Sequence, residues 1–269
     1  MPKPPAPPKP KFSWRLALRI TMWLGAFAGL AWGANQAHSF LLSDPRFELR
    51  CNPVERTCAS LEIRGAVYAS RYRIAKVFAP DFGQSVFHIP LAERRRHLLA
   101  IDWVRAASVA RVWPDHIVVT VTERRPVAFA KLPIGVSGRY WLGLVDADGV
   151  LLSAPPHARF HLPMLSGISE QQTDEERRTR VNTMQRLLAD LGPDARSISE
   201  INVGALDNVR VISDLDGRAL ELWIGDRAYR SRYMNFINHY GEIRSHSEHA
   251  RVFDLRMDDR ILARQDARR

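Results

Sequence analysis

From Leu16 to Ala34 the chain reads LALRITMWLGAFAGLAWGA, and no other stretch of its 269 residues limits the possible folds so strongly. At ~1.5 Å per residue this 19-residue run reaches roughly 28 Å as a helix, close to the thickness of a hydrocarbon core. One charge interrupts it. Arg19 lies within a turn of the basic end, where its long side chain can snorkel to headgroups, and two of Trp14, Trp23 and Trp32 can sit near the interfaces. A single spanning helix over 16–36 is therefore expected. Lys/Arg residues precede the run, whereas 35–45 carries none, which puts the front inside the cell and the bulk outside. The alternative is a cleaved signal peptide, with Ala31 and Gly33 as its small residues. The proline-rich front and the length of the apolar run argue against cleavage, and the bulk is exported on either reading.

Prolines at 2, 4, 5, 7, 8 and 10 are expected to rule out helix and sheet in the opening MPKPPAPPKPKFSW, and residues 1–15 are read as an extended, solvated tail. The formal charge of +10 invites a nucleic-acid reading. Half of that excess, however, is Lys3, Lys9, Lys11, Arg15 and Arg19, ahead of the first acidic residue, Asp44. Orientation in a membrane explains it, and the remainder mixes its signs, so nucleic acid is not an expected partner.

Residues 37–58 are expected to be a linker. Cys51 and Cys58 are the two cysteines, and in an oxidising compartment they can pair across the Asn52-Pro53 turn. Two unpaired thiols are the other reading. The spacing does not suit a redox or zinc pair.

Beyond the linker, Leu61 to Gly65 alternates like a short strand. Ser70 can cap a helix carrying Ile74, Val77 and Phe78, and Pro90 suits the first turn of a second helix to about Ala100. Arg94, Arg95 and Arg96 of that helix are expected to face mostly outward. Strands follow from Trp103 to Val109 and from His116 to Thr122, around a turn at Trp113-Pro114-Asp115. Trp103 and Trp113 are expected to be packing residues. Arg111 is expected to stack or to pair with Glu123.

This β-α-α-β-β order, in 59–126 just outside a membrane helix, resembles a POTRA domain. Ile101-Asp-Trp-Val104, then Ala107, Val109, Arg111, Val112-Trp-Pro114, Val119-Thr-Val121 and Glu123-Arg-Arg-Pro-Val-Ala128, resembles the signature of the bacterial cell-division FtsQ/DivIB family. Two further fragments, Leu144 to Leu152 and Leu162 to Gly167, resemble that family as well. The fold class expected is α+β: one N-terminal transmembrane helix, the POTRA domain, then a mostly antiparallel β-domain over 127–264 with two packed helices. Pro126 is placed at the bend between the two domains. The helices are expected from Thr173 to Leu191, capped by Thr173 or Asp174, and from Tyr229 to Ile243; strands fill most of the rest, and 265–269 fray.

The last strands carry the functional expectation. Arg251 to Met257 and Arg260 to Arg264 read as strands around an Asp258-Asp259 turn, and a final strand lying at a sheet edge offers its free N–H and C=O groups to a partner's strand. Phe253-Asp-Leu-Arg-Met-Asp-Asp-Arg260 resembles the family phrase before the strand that receives the subunit FtsB. The resemblance implies partner contact through Phe253, Leu255, Met257, Arg260, Ile261, Leu262, Ala263 and Arg264. It implies a non-enzymatic divisome scaffold of the inner membrane that joins FtsB and FtsL, with FtsK and the septal synthase complex FtsW/FtsI as further partners. Met257 stands where some members have a tyrosine, and the 258–259 turn is shorter than theirs.

The chain shows no nucleophile elbow, HExxH, phosphate loop or dinucleotide fingerprint, and the pairs His157/His161 and His246/His249 lack a third ligand, so no cofactor or metal is expected. A periplasmic cell-wall enzyme and another POTRA-containing assembly factor are the alternatives. The first needs a nucleophile or paired carboxylates; the second would end in a long β-barrel.

Overall fold

The computed structural model describes residues 14–50, 58–135, 138–156, 158–257 and 259–264. It opens with α1, Trp14–Ser43, which is 30 residues long and so continues past the expected end at 36. Nothing between Asn35 and Ser43 breaks a helix, and Ser39 returns its hydroxyl to the Gln36 carbonyl at 2.9 Å. The stop is Asp44-Pro45, because a proline disfavours helical backbone in the residue before it. Among the described residues no helix is both long enough and apolar enough to cross a membrane. Within α1, Arg19 and the polar stretch from Asn35 to Ser39 dilute the apolar run.

The linker expectation needs correction at its centre. Phe47 and Leu49 are buried, at 6% and 0% exposure. The backbone around them pairs with 83–86: Leu49 N–H donates to the Gln84 carbonyl at 2.9 Å, and Val86 N–H to the Phe47 carbonyl at 2.8 Å. Cys58 is disulfide-bonded. Cys51, its expected partner, lies outside the described residues.

The described chain falls into two compact units. One holds the chain up to Arg64 with Ala75–Arg95 and Ser108–Val119; the other holds Gly65–Ile74, Arg96–Ala107 and everything from Thr120 onward. The elements of the POTRA region run through both: β1 (Leu61–Arg64), α2 (Arg71–Lys76), α3 (Leu91–Leu99), β2 (Val104–Val112) and β3 (His116–Glu123), with sheet order β1-β3-β2. Alternation decides which faces are buried. Ile117, Val119 and Val121 of β3 are 0%, 0% and 4% exposed.

Within the first unit, Arg94 departs from the outward face expected of it. Its guanidinium grips Asp81 with two hydrogen bonds of 2.7 and 2.8 Å, and the two side chains are only 10% and 4% exposed. That fork, chiefly, holds the Arg94 pKa above its ordinary value.

Among the described residues the second unit is built on a nine-stranded sheet. Its strands are β4 (Pro126–Ile134), β5 (Arg139–Asp146), β6 (Leu151–Leu152), β7 (Met164–Ser166), β8 (Ile198–Asn202), β9 (Val209–Leu215), β10 (Arg218–Gly225), β11 (Val252–Asp254) and β12 (Leu262–Arg264), in the order β12-β11-β10-β9-β8-β7-β4-β5-β6. Pro126 opens β4 instead of separating it from a bend, a position where its missing N–H costs little. Most neighbours are antiparallel; β4/β7, β7/β8 and β10/β11 are parallel. Parallel neighbours need a crossover. For β7/β8 it is helix α4 (Asp174–Leu191), and for β10/β11 it is helix α5 (Tyr229–His246).

Both helices lay an apolar stripe on one face of the sheet. Val181, Met184 and Leu187 of α4, and Tyr233 and Phe236 of α5, join Val211, Leu222 and Phe253 of the strands in one core. Thr173 caps α4 through a capping box with Glu176, as the Thr-x-x-Glu spacing dictates. Gly149 is required where it stands: its φ is +81°, and a Cβ there would lie 2.3 Å from the Asp174 carbonyl oxygen.

Candidate interaction edge

The sheet ends at β12. Val252, Phe253 and Asp254 pair with Arg264, Ala263 and Leu262, so β12 is held on one side by β11 and, among the described residues, has no strand on the other. Its outward N–H and C=O groups are those of an unpaired edge. Alternation sorts the side chains. Phe253 turns into the core, its ring 5.0 Å from that of Phe236, while Asp254, Leu262 and Arg264 belong to the face that the helices leave open.

On that open face Trp223 of β10 stands opposite Arg210 on one neighbour and Asp254 on the other. The guanidinium groups of Arg210 and Arg264 lie 4.2 Å from its ring centre, and that of Arg256 5.2 Å. Its indole N–H donates to Glu221 at 2.9 Å, and Glu221 also faces Arg210 at 3.6 Å. The edge is thus backed by a cationic stack on one aromatic ring. Further across the same face, Lys131 pairs with Glu200 at 3.2 Å beside a polar cleft lined by Tyr140, Ser166 and Arg210.

Asp254, 5% exposed at its side chain, takes the fork of Arg256 at 2.8 and 2.6 Å and the Arg256 backbone N–H at 3.2 Å. The Arg256 side chain, above all, holds this carboxyl below its ordinary pKa. A carboxyl depressed on folding stabilises the native state above its unfolded pKa of about 3.9, and that contribution is lost as pH falls through the lower native value. Asp254→Asn is accordingly expected to cost about 1 to 2 kcal/mol at neutral pH, modest because Arg256 remains 39% exposed. Urea unfolding of both proteins from pH 7 to pH 2 should show that difference close in acid; a constant gap would exclude the pair as its source.

The residues expected to meet a partner divide accordingly. Met257, Arg260, Leu262, Ala263 and Arg264 are exposed, and Ile261 is half-buried against the core. Phe253 and Leu255, 1% and 2% exposed, place their side chains in the core instead of on the open face of the edge. Arg260 is paired with Asp259 at 2.8 Å, and Asp258 lies outside the described residues. Trp223, Arg210 and Arg256 were not anticipated as neighbours of the edge. The available signal was Arg, Glu and Trp alternating with apolar residues along β9 and β10, which marks an outer face without saying what it borders.

Several residues of the signature in the POTRA region make contacts within the fold. Trp103 is buried and donates its indole N–H to the Ser153 carbonyl at 2.9 Å, and Arg124 pairs with Asp146 at 2.7 Å. The expected alternative of an Arg111–Glu123 pair is overturned. Arg111 donates to the carbonyls of Val86 and Ile89 at 2.7 and 2.6 Å, while one oxygen of Glu123 accepts the backbone N–H groups of Val67, Tyr68 and Ala69. Among the described residues no three His, Cys, Asp or Glu side chains are grouped as a metal would need, and His157 lies outside them.

Residues 57–124 match the family model for the POTRA domain, FtsQ-type. The chain is 34% identical over 215 residues to the cell division protein FtsQ of Koribacter versatilis, a match covering 77% of this chain and 60% of that relative. It is 29% identical over 177 residues to that of Alcanivorax borkumensis, covering 65% and 62%, and 29% identical over 262 residues to that of Novosphingobium aromaticivorans, covering 91% and 73%. The matched part thus spans about three fifths of the length of the first two relatives.

Proposed function

We propose, for a chain that belongs to the FtsQ family of cell division proteins, a non-catalytic role as a scaffold of the divisome, tethered to the inner membrane by α1 and binding a partner's strand on β12. The observation that carries this reading is the position of β12 at the end of the sheet, exposed on its outer side and backed by arginines. Strand addition uses such an edge for main-chain affinity, and the charge favours an acidic partner strand. FtsB and FtsL are the partners the family suggests.

In this reading the tail at 1–15 is cytoplasmic, 16–36 spans the membrane, and a POTRA domain over 59–126 and a β-domain over 127–264 work in the periplasm as separate recognition modules. The polar residues that end the apolar run at Asn35 suit its outer boundary. Depletion in the native organism tests the role. Filamentous cells whose septation returns with the full chain are expected, and normal septation without the protein would refute it.

A further inference from the structure

We infer that an aromatic cluster where α1 joins the rest of the first unit is a membrane-seating surface, which packs that unit against the lipid headgroups; this rests on the reading of α1 as a membrane span. Phe47 is the hub of the cluster. Its ring meets Phe40 of α1 at 5.9 Å, Phe87 at 5.6 Å and Trp113 at 5.4 Å, all edge to face, and Phe87 meets Trp113 at 5.3 Å. The hub is buried, but its rim is open. Phe40 is 51% and Trp113 64% exposed, and Val112, the residue before Trp113, is 48% exposed, so the apolar surface at these positions is open.

Helix length selects lipid as the occupant. Phe40 lies six residues beyond Ala34, where the apolar run ends, hence about 9 Å further along the axis. The headgroup layer is roughly 5 to 8 Å thick on each side of the core, and a tilt of about 20° lowers the rim into it. The helix is also attached there. Ser85 donates its hydroxyl to the Leu41 carbonyl at 2.8 Å, and the 47–49 segment is paired to 83–86, so the rim is fixed at the helix exit. Tryptophan is enriched in this layer, and Arg46, which pairs with Asp44 at 3.3 Å yet keeps a side chain 77% exposed, stands next to Phe47 in the chain, where its outer face can meet a phosphate.

The experiment uses the full chain in nanodiscs of phosphatidylethanolamine and phosphatidylglycerol containing a lipid with a photoreactive headgroup, with labelled peptides located by mass spectrometry. Labelling of α1 together with the peptide carrying Val112 and Trp113 is expected. Val112→Asp, a change at an exposed position that spares the cluster, should lower labelling of that peptide at least 5-fold while α1 stays labelled. Labelled α1 with an unlabelled 112–113 peptide would overturn the inference and leave the span intact. An unlabelled α1 would remove the span, and this inference with it. Labelling of the 112–113 peptide that Val112→Asp leaves unchanged would also overturn it, since contact would then not depend on the apolar rim.

Discussion

Arg94→Ala is expected to lower the stability of the fold by about 3 to 5 kcal/mol, an unusually large effect for a charged residue in a run of three arginines. The cause is what it leaves behind. Asp81, 4% exposed, would keep its charge without the fork that now satisfies both oxygens. Arg96, an exposed residue of the same run, should change stability by no more than about 0.5 kcal/mol when replaced by alanine. The double change Asp81→Leu with Arg94→Leu should recover much of the loss, because an apolar pair needs no compensation. Denaturation of the full chain in detergent, followed by tryptophan fluorescence, supplies the comparison. If the double variant is as unstable as Arg94→Ala, the orphaned carboxylate is not the cause.

Leu262→Pro is expected to weaken binding of an FtsB-like partner segment by roughly 30- to 150-fold, or about 2 to 3 kcal/mol. Proline removes an N–H and fixes φ in a strand of three residues, so the edge can no longer run straight alongside an incoming chain. Because Leu262 is 43% exposed and belongs to the outermost strand, the core built on Phe253 and Phe236 should survive. Arg264→Glu separates the electrostatic part. It should slow association and make binding less dependent on salt, while leaving the main-chain template in place. Calorimetry on the full chain with the partner's periplasmic segment measures both variants. Unchanged affinity in Leu262→Pro, with native tryptophan fluorescence, would sink strand addition at this edge.

Where the chain announces its own local geometry, the sequence is a sufficient guide. Thr173 with Glu176 starts α4, Asp148-Gly149 turns β5 toward β6, and the alternation of Ile117, Val119 and Val121 makes β3. Reasoning from local pattern fails where a residue's partner is distant. Arg94 looks like its neighbours until Asp81, thirteen positions earlier, is brought under it. Phe47 and Leu49 sit among polar residues in a stretch without periodicity, and only their pairing with 83–86 gives them a core. At the candidate site the terminal strand itself was legible. That Phe253 and Leu255 face inward was not, because alternation gives two faces and does not say which one the helices cover. The Trp223 stack joins residues from three strands and from the loop after β11, and no short window of sequence contains it.

The parallel pairing of β10 and β11 ties the outermost strands to α5: β11 reaches its place beside β10 only by way of that crossover, and among the described residues β12 is held on the sheet by β11. The edge proposed for docking therefore depends on a helix that a partner need never touch. A chain cut short before β11, or one in which α5 does not pack, would present no such edge, which would make admission to a complex conditional on a finished fold.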